Sequence, residues 1–512
     1  MRKLYFILFG LLFILRSSFL SACYCTDITN RWQNSDVFIC NPECDEGNCF
    51  TSRTFMLTRP VSHNIVAQQS LWHDFLYNKK EGIGGSFQII AYYQQSIRES
   101  YTTKYFLPCF KTSLVVLGDD NHDSQHRDIR AEWLGLPSDF RGGMSICPEQ
   151  RQTGVLLEYS QDLKRFADYD FLKRFWINIA LPLVVVENNM NISQFDVFNK
   201  GCLNDQPKDL IEAFRQKDWM YAKINGKSSV FSPAPLMIRL GGAFLDDGPN
   251  QIISYTSIYI PMGQEDQNRY LFEPVAGYNG HLGFGPGVNF QIGLNRDDKF
   301  YDICLFANLE AVFLIRDWHY RTFDLKGRPW SRYLLFNKKF GPPDQNIPGV
   351  NVLTRRVKVR PYFMADFSTG LRIKSEKFEF ELGYSIWGHG AEKIECVRRF
   401  ECIWGIAGIS QPGDQLARSA SVSTICHREA TDEENLPEDQ DPTFVPVTDV
   451  DVDIYSAEGQ GALNHRVHVA GGFEKKGTSV DVFFGAGGYY EIPQKNSALK
   501  TAGAWFKLGG SF

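Results

Sequence analysis

Charged side chains recur on the polar faces of a series of alternating segments. Arg239, Arg316, Arg360, Arg372, Lys374, Arg466 and Lys507 stand against Asp302, Glu310, Asp366, Glu379, Glu381 and Asp481. Charges of both signs around one passage make a field that orients polar solutes and selects among them. These residues are therefore candidate lining groups of a pore. In a narrow lumen the same groups would pair across neighbouring strands and fill it. Glycines on these faces, Gly283, Gly285, Gly287, Gly485 and Gly487, either leave room for a solute or let another segment pack against the wall.

Other chemistries fit the residues less well. A hydrolase needs a nucleophile held beside a base; Gly408-Ile-Ser410-Gln-Pro-Gly413 has the wrong spacing for a nucleophile elbow. Gly277-x-x-Gly280-x-x-Gly283 opens a strand rather than a helix and is no phosphate cradle. Asp449-Val-Asp451-Val-Asp453 lacks the glycine and the glutamate of a calcium loop. For Cys40, Cys44 and Cys49 only Cys23 or Cys25 could complete a zinc tetrahedron. The expectation is a chain that is not an enzyme, with no catalytic residue, no metal and no cofactor.

The elements that carry these groups alternate with period two, the signature of half-buried strands. From His281 to Leu294 one face is Leu282, Phe284, Pro286, Val288, Phe290, Ile292 and Leu294. Tyr301 to Ile315 and the hairpin around Ser375-Glu376 repeat the pattern. Composition agrees: 40 Phe, 22 Tyr, 10 Trp and 43 Gly in 512 residues suit strands and turns. With 43% hydrophobic residues the chain is not disordered. A net charge of −5 offers no basic excess for nucleic acid.

The chain begins Met1-Arg2-Lys3 and continues with a twelve-residue apolar run, Leu4 to Leu15. That is the layout of a secretory signal peptide over 1–22, with cleavage after Ala22. Leu20-Ser21-Ala22-Cys23 also resembles a bacterial lipobox, which would place a lipid on Cys23. Twelve cysteines in an exported chain suggest disulfides, with Cys40, Cys44 and Cys49 in one cluster and Cys396, Cys402 and Cys426 in one loop. No later segment is long and apolar enough for a transmembrane helix.

Apolar faces seven or eight residues long, and connections alternating between short and long, favour a closed antiparallel transmembrane β-barrel over a soluble sandwich. Strands are expected near 85–96, 105–117, 152–160, 175–187, 230–245, 251–261, 281–294, 300–316, 358–374, 377–387, 463–473, 478–490 and 498–512. Closure with an even number asks for one more, and Phe50–Thr58 supplies it, for about 14 strands, with 12 or 16 as alternatives. The domain plan is thus a signal peptide (1–22), a Cys-rich periplasmic segment (23–49) and a barrel (50–512) with long outer loops at 188–230, 317–357 and 389–462. The loop segment Glu429–Glu458 has eleven acids and no base, while Lys326–Arg360 has nine bases and one acid. The two loops are expected to meet over the barrel mouth, and the basic one to reach lipopolysaccharide phosphates.

The C-terminus reads Thr501-Ala-Gly503-Ala-Trp-Phe506-Lys-Leu508-Gly-Gly-Ser-Phe512. It resembles the terminal assembly signal of bacterial outer-membrane β-barrel proteins. The resemblance implies an outer-membrane location and recognition of Gly503, Phe506, Leu508 and Phe512 by the barrel-assembly machinery. The expected size class is similar to that of the fatty-acid channels and small-solute porins. Fatty-acid channels carry an Asn-Pro-Ala motif in an N-terminal hatch; Asn41-Pro42-Glu43 is the nearest match here. The expected role is a channel for passive passage of small solutes, its partners being membrane lipid, lipopolysaccharide and those solutes. The alternative is a barrel that anchors loops binding a surface or host.

Overall fold

The computed structural model describes residues 52–71, 84–108, 111–122, 127–165, 175–199, 206–247, 250–295, 301–326, 329–338, 346–361, 363–397, 403–406 and 445–512. The alternating segments become long antiparallel strands: β1 (Gly85–Ser96), β2 (Glu149–Asp162), β3 (Phe175–Asn189), β4 (Leu236–Asp247), β5 (Asn250–Ile260), β6 (Gly283–Gly293), β7 (Tyr301–Leu314), β8 (Phe363–Ser375), β9 (Phe378–His389), β10 (Ala462–Lys475), β11 (Asp481–Pro493) and β12 (Thr501–Ser511). Each pairs with its neighbour in sequence, and β1 pairs with both β2 and β12, which closes the ring. The sheet has 13 strands; the one outside the ring, Ser228–Pro233, pairs with the end of β3.

The ring therefore has twelve strands rather than about 14. Phe50–Thr58 was expected to be wall. Its described part, 52–58, is irregular, and Ser52 to Leu57 are all buried with no alternation, so it has no face to give to lipid. The segment 105–117 is also not wall. Its first residues finish a helix, Ser100–Phe106, and Tyr105, Phe106 and Leu107 are all buried instead of alternating. Ser113–Leu117 belongs to a small separate sheet. The supposed short turn at 97–104 is thus the start of one long connection, 97–148. Twelve is still even, so the first and last strands meet side by side and β1 and β12 bond along their whole length.

Connections are short at one end of the ring, as at 248–249, 376–377 and 476–480, and long at the other, as at 97–148, 190–235, 315–362 and 390–461. We call these ends the turn rim and the loop rim. Outward residues are apolar and exposed: Ile89, Ile179, Leu240, Leu305, Leu371, Leu382, Val469 and Leu508. Exposed rings flank them, with Phe87, Phe175, Phe244, Tyr301 and Phe378 toward the turn rim and Tyr93, Phe284, Phe313 and Tyr490 toward the loop rim. An apolar band between two aromatic girdles is the exterior of a transmembrane barrel. Closure also leaves no strand edge unpaired in lipid, where each orphaned backbone group would cost several kcal/mol. Arginine at Leu305, within this band, is expected to cost about 2–4 kcal/mol, and at Tyr301, at the turn rim, about 0–1 kcal/mol. Unfolding titrations in lipid vesicles measure both; equal costs would remove the band.

The last residue seals the ring. The Phe512 amide donates to the Gly85 carbonyl and the Gly85 amide donates to the Phe512 carbonyl, each at 2.9 Å. A side chain at Gly85 would strike the Phe512 ring. Phe506 and Leu508 face outward, half exposed. Replacing Phe512 with aspartate is expected to lower the yield of assembled, heat-shiftable barrel; an unchanged yield would separate this contact from assembly.

The loop-side segments fold among themselves. Leu335–Lys338 pairs with Trp404–Ile406, Thr354–Arg360 with Lys393–Val397, and Leu325 with Val452. So the 315–362 and 390–461 connections do meet, joined by backbone ladders and an apolar core around Phe323, Phe336 and Leu353. Charge attraction is not needed for that junction, and most of the acidic run lies outside the described residues. So do the signal peptide, the segment 23–49 and most of the cysteines. Among those described, Cys147 is a free thiol and Cys304 is buried.

Candidate functional site

Residues 52–71 run through the ring. At the loop rim, Ser52 donates to Asp324 (2.7 Å), and Thr54 donates through its hydroxyl to Thr322 O (2.7 Å) and through its amide to Ser456 O (2.9 Å). Toward the turn rim, the Leu71 amide donates to Glu381 (3.4 Å). Between them Pro60 starts a turn closed by His63 N–H to Pro60 O (3.0 Å). Asn64 then caps a short helix, Ile65–Gln69, by accepting from the Ala67 amide at 3.2 Å. Every residue of that helix is buried. We call this segment the strap.

Three sets of charges hold it. Near the loop rim Arg59 donates to Glu491 (2.7 Å) and pairs with Asp366. Arg466 shares Glu491 at 2.7 Å, and Asn464 donates to it at 2.6 Å. At mid-height Arg239 donates to Gln68 of the strap (2.6 Å) and faces Glu310 (3.5 Å) and Glu158 (3.9 Å). Glu310 also accepts from Ser257 (2.9 Å), Tyr255 (3.2 Å) and Tyr259. Nearer the turn rim Arg372 reaches Glu379 and Glu381, each at 3.0 Å. His468 lies 3.3 Å from Glu381, and Lys507 donates to the strap carbonyls of Ser70 (2.5 Å) and Gln68 (3.3 Å). A buried charge is tolerated only when paired and hydrogen-bonded.

Of the residues expected to line a pore, Arg239, Arg372, Arg466, Glu310, Asp366, Glu379, Glu381 and Lys507 face this interior and are buried there. Lys374 is near the turn rim, 4.0 Å from Glu474. Asp302 is exposed near the same rim, and Asp481 opens β11 there, accepting from the Gly477 amide at 2.9 Å. Arg316 and Arg360 lie outside the ring strands, beyond the loop rim, and converge on Glu395 at 3.1 and 3.0 Å. Sequence reasoning missed Glu158, Glu491 and Arg59. Glu158 is the lone acid in the expected strand 152–160 and was legible. Glu491 fell in a span read as loop, and Arg59 lies one residue past the expected wall strand Phe50–Thr58.

Three inward glycines seat aromatic rings of the wall itself. A Cβ at Gly287 would lie 2.1 Å from the Tyr255 ring, one at Gly487 2.2 Å from Trp505, and one at Gly503 2.4 Å from Tyr489. Each ring comes from the adjacent strand in register. These glycines thus let large inward side chains lie flat, and Gly503 has this packing role beside its place in the terminal motif.

The loop-rim clamp on the strap is built around acids. Asp453 pairs in backbone with Asp324, and Asp324 binds Arg332 at 2.6 Å. Burial, then the nearby Asp324 carboxylate, pushes the Asp453 carboxyl up to about 6. Burial and Glu273 likewise raise Asp266. Groups raised on folding stabilise the folded form when protonated. For Asp453 that contribution is complete below about pH 4 and lost as pH rises through about 6. Amide exchange across 449–458, corrected for its intrinsic rate, is expected to be faster at pH 7.5 than at pH 4.5. In Asp453→Asn the difference should shrink. An unchanged difference would move the titration elsewhere.

No protein-family model matches the chain, and no curated protein sequence matches it at a significant level. Solved structures do superpose on it. An outer-membrane channel from Pseudomonas putida F1 aligns over 85% of this chain and 97% of its own, at 8% identity and a TM-score of 0.36. A FadL homologue from Pseudomonas aeruginosa aligns over 84% and 90%, at 6% and 0.26. The transport unit of the autotransporter AIDA-I from Escherichia coli aligns over 89% and 99%, at 7% and 0.29. Superpositions this loose say nothing of activity. The closed ring, its apolar band and its girdles are those of an outer-membrane β-barrel on their own geometry.

Proposed function

We propose that the protein is an outer-membrane channel for small polar solutes, held closed by the strap and opened when the strap shifts. The observation that carries this reading is the polarity of the strap's seat. Arg59, Arg239, Arg372, Arg466 and Lys507 face Glu158, Glu310, Asp366, Glu379, Glu381 and Glu491 across the filled space. A permanent plug gains little from such groups, because buried ion pairs are often no more stable than apolar packing of the same volume. A wall of this kind rehydrates readily when the strap leaves, and its balanced charge selects for neither sign among polar solutes. Passage is therefore conditional, in contrast to an open porin. The loops face the outside, since short turns are periplasmic in such barrels.

A second reading, the barrel as anchor for a binding surface, has its own support in the loop-side apolar cores. Liposome swelling with neutral, cationic and anionic sugars separates the two. In a strap-weakened variant all three sugars are expected to enter at similar rates, with little entry through the wild type. No entry through the variant would favour the anchor.

A further inference from the structure

At the loop rim the outer wall carries a groove of about 650 Å³ whose lining includes Tyr93, Gln95, Arg98, Glu149, Arg151 and Ala504. Its floor is a run of small outward residues. Register sets Ala504 between Tyr93 of β1 and Gly488 of β11, Ala502 between Gln95 and Tyr490, and Ala486 beside Phe506. Elsewhere at this height the girdle carries rings such as Phe284 and Phe313. The missing bulk leaves a slot along the β1–β12 seam, where Tyr93 stands beside Ala504 and Gln95 beside Ala502.

The upper end of the slot is polar and connected. Tyr93 donates to Gln95 (2.5 Å), Gln95 to Glu149 (3.0 Å), and Arg98 to Glu149 (2.9 Å). The Arg98 side chain is 65% exposed and that of Arg151 43%. A guanidinium has five N–H donors in a fork that suits phosphate, and one carboxylate does not exhaust them. Gln95 and Arg151 are register partners, so this cation stands level with Gln95 on the β2 side of the groove.

We infer that this groove seats one phosphorylated lipid, with an acyl chain along Ala502 and Ala504 and the phosphate on Arg98 and Arg151. The site depends on the ring spanning a bilayer but not on its being a channel, so it stands or falls separately from solute passage. Two sources carry this chemistry: the glucosamine phosphates of lipid A and the phosphodiester of a glycerophospholipid.

The test is lipid retention by the purified full chain in detergent, read by native mass spectrometry after exchange with lipid A, phosphatidylglycerol or diacylglycerol. Wild type is expected to retain one or both phosphorylated lipids in preference to diacylglycerol, and the one retained more names the source. The double variant Arg98→Ala/Arg151→Ala should weaken that retention by about tenfold, the loss of some 1.4 kcal/mol. Ala504→Trp fills the slot and should abolish retention while the heat-shifted band is kept. Should the tryptophan variant fail to assemble, the double variant decides alone, since its side chains lie at the exposed rim. Equal retention of all three lipids, or retention unchanged in the double variant, would overturn the site.

Discussion

Replacing Glu310 with alanine is expected to destabilise the barrel by about 3–5 kcal/mol, the cost of leaving a buried charge without its partner. Glu310 is wholly buried and accepts from Ser257, Tyr255 and Tyr259 while facing Arg239. Its removal takes the acceptor from three hydroxyls and leaves Arg239 with Gln68 at 2.6 Å and the more distant Glu158 at 3.9 Å. Glu310→Gln keeps the volume and some of the hydrogen bonds, so it should cost less than alanine. Urea unfolding in lipid vesicles measures both. A change below about 1 kcal/mol for alanine, the size of an exposed ion pair, would mean that water already reaches this level of the lumen.

Arg59→Ala should have the largest effect on the strap itself. The side chain is the only strap cation among the described ion pairs within the ring, and it joins β8 to β11 through Asp366 and Glu491. Its loss leaves Asp366 without that partner, while Arg466 still neutralises Glu491. The wall should therefore survive and the strap loosen. A cysteine placed at the buried Ser62 reports this directly. With Arg59 present, a water-soluble thiol reagent should label it slowly; in the Arg59→Ala background labelling should rise by at least about tenfold, which corresponds to about 1.4 kcal/mol of opening. Equal rates in both backgrounds would show that the ion pairs do not hold the strap.

Much of the wall was legible because period-two patterning is a local property. Leu305, Leu371 and Leu382 face lipid, and Glu310, Asp366 and Glu381 face inward, as alternation requires. What alternation cannot give is the identity of the filler. Thr54 to Leu57 have a strand-like composition, yet both of their faces are buried. Only the three-dimensional partners of Arg59, Gln68 and Ser70 place that segment inside the ring. Tyr105 to Leu107 misled for a related reason, since a run of aromatics suits a girdle strand and a loop core equally. Arg316 and Arg360 sat on extrapolated strands that end sooner, at Leu314 in the first case and begin later, at Phe363, in the second. At Gly287 and Gly487 the space goes neither to solute nor to another segment but to the wall's own rings, Tyr255 and Trp505.

The central claim is that the strap closes a lumen that would otherwise conduct. Single-channel current across a planar bilayer tests it most directly, comparing the wild type with the triple variant Arg59→Ala/Gln68→Ala/Gln69→Ala, which removes strap side chains and leaves every wall residue in place. The wild type should be silent or open only in brief bursts at neutral pH, and the variant should show long-lived openings of uniform size. A triple variant that assembles into a heat-shiftable barrel and stays as silent as the wild type would contradict the account. A wild type with a steady open current would contradict it as well.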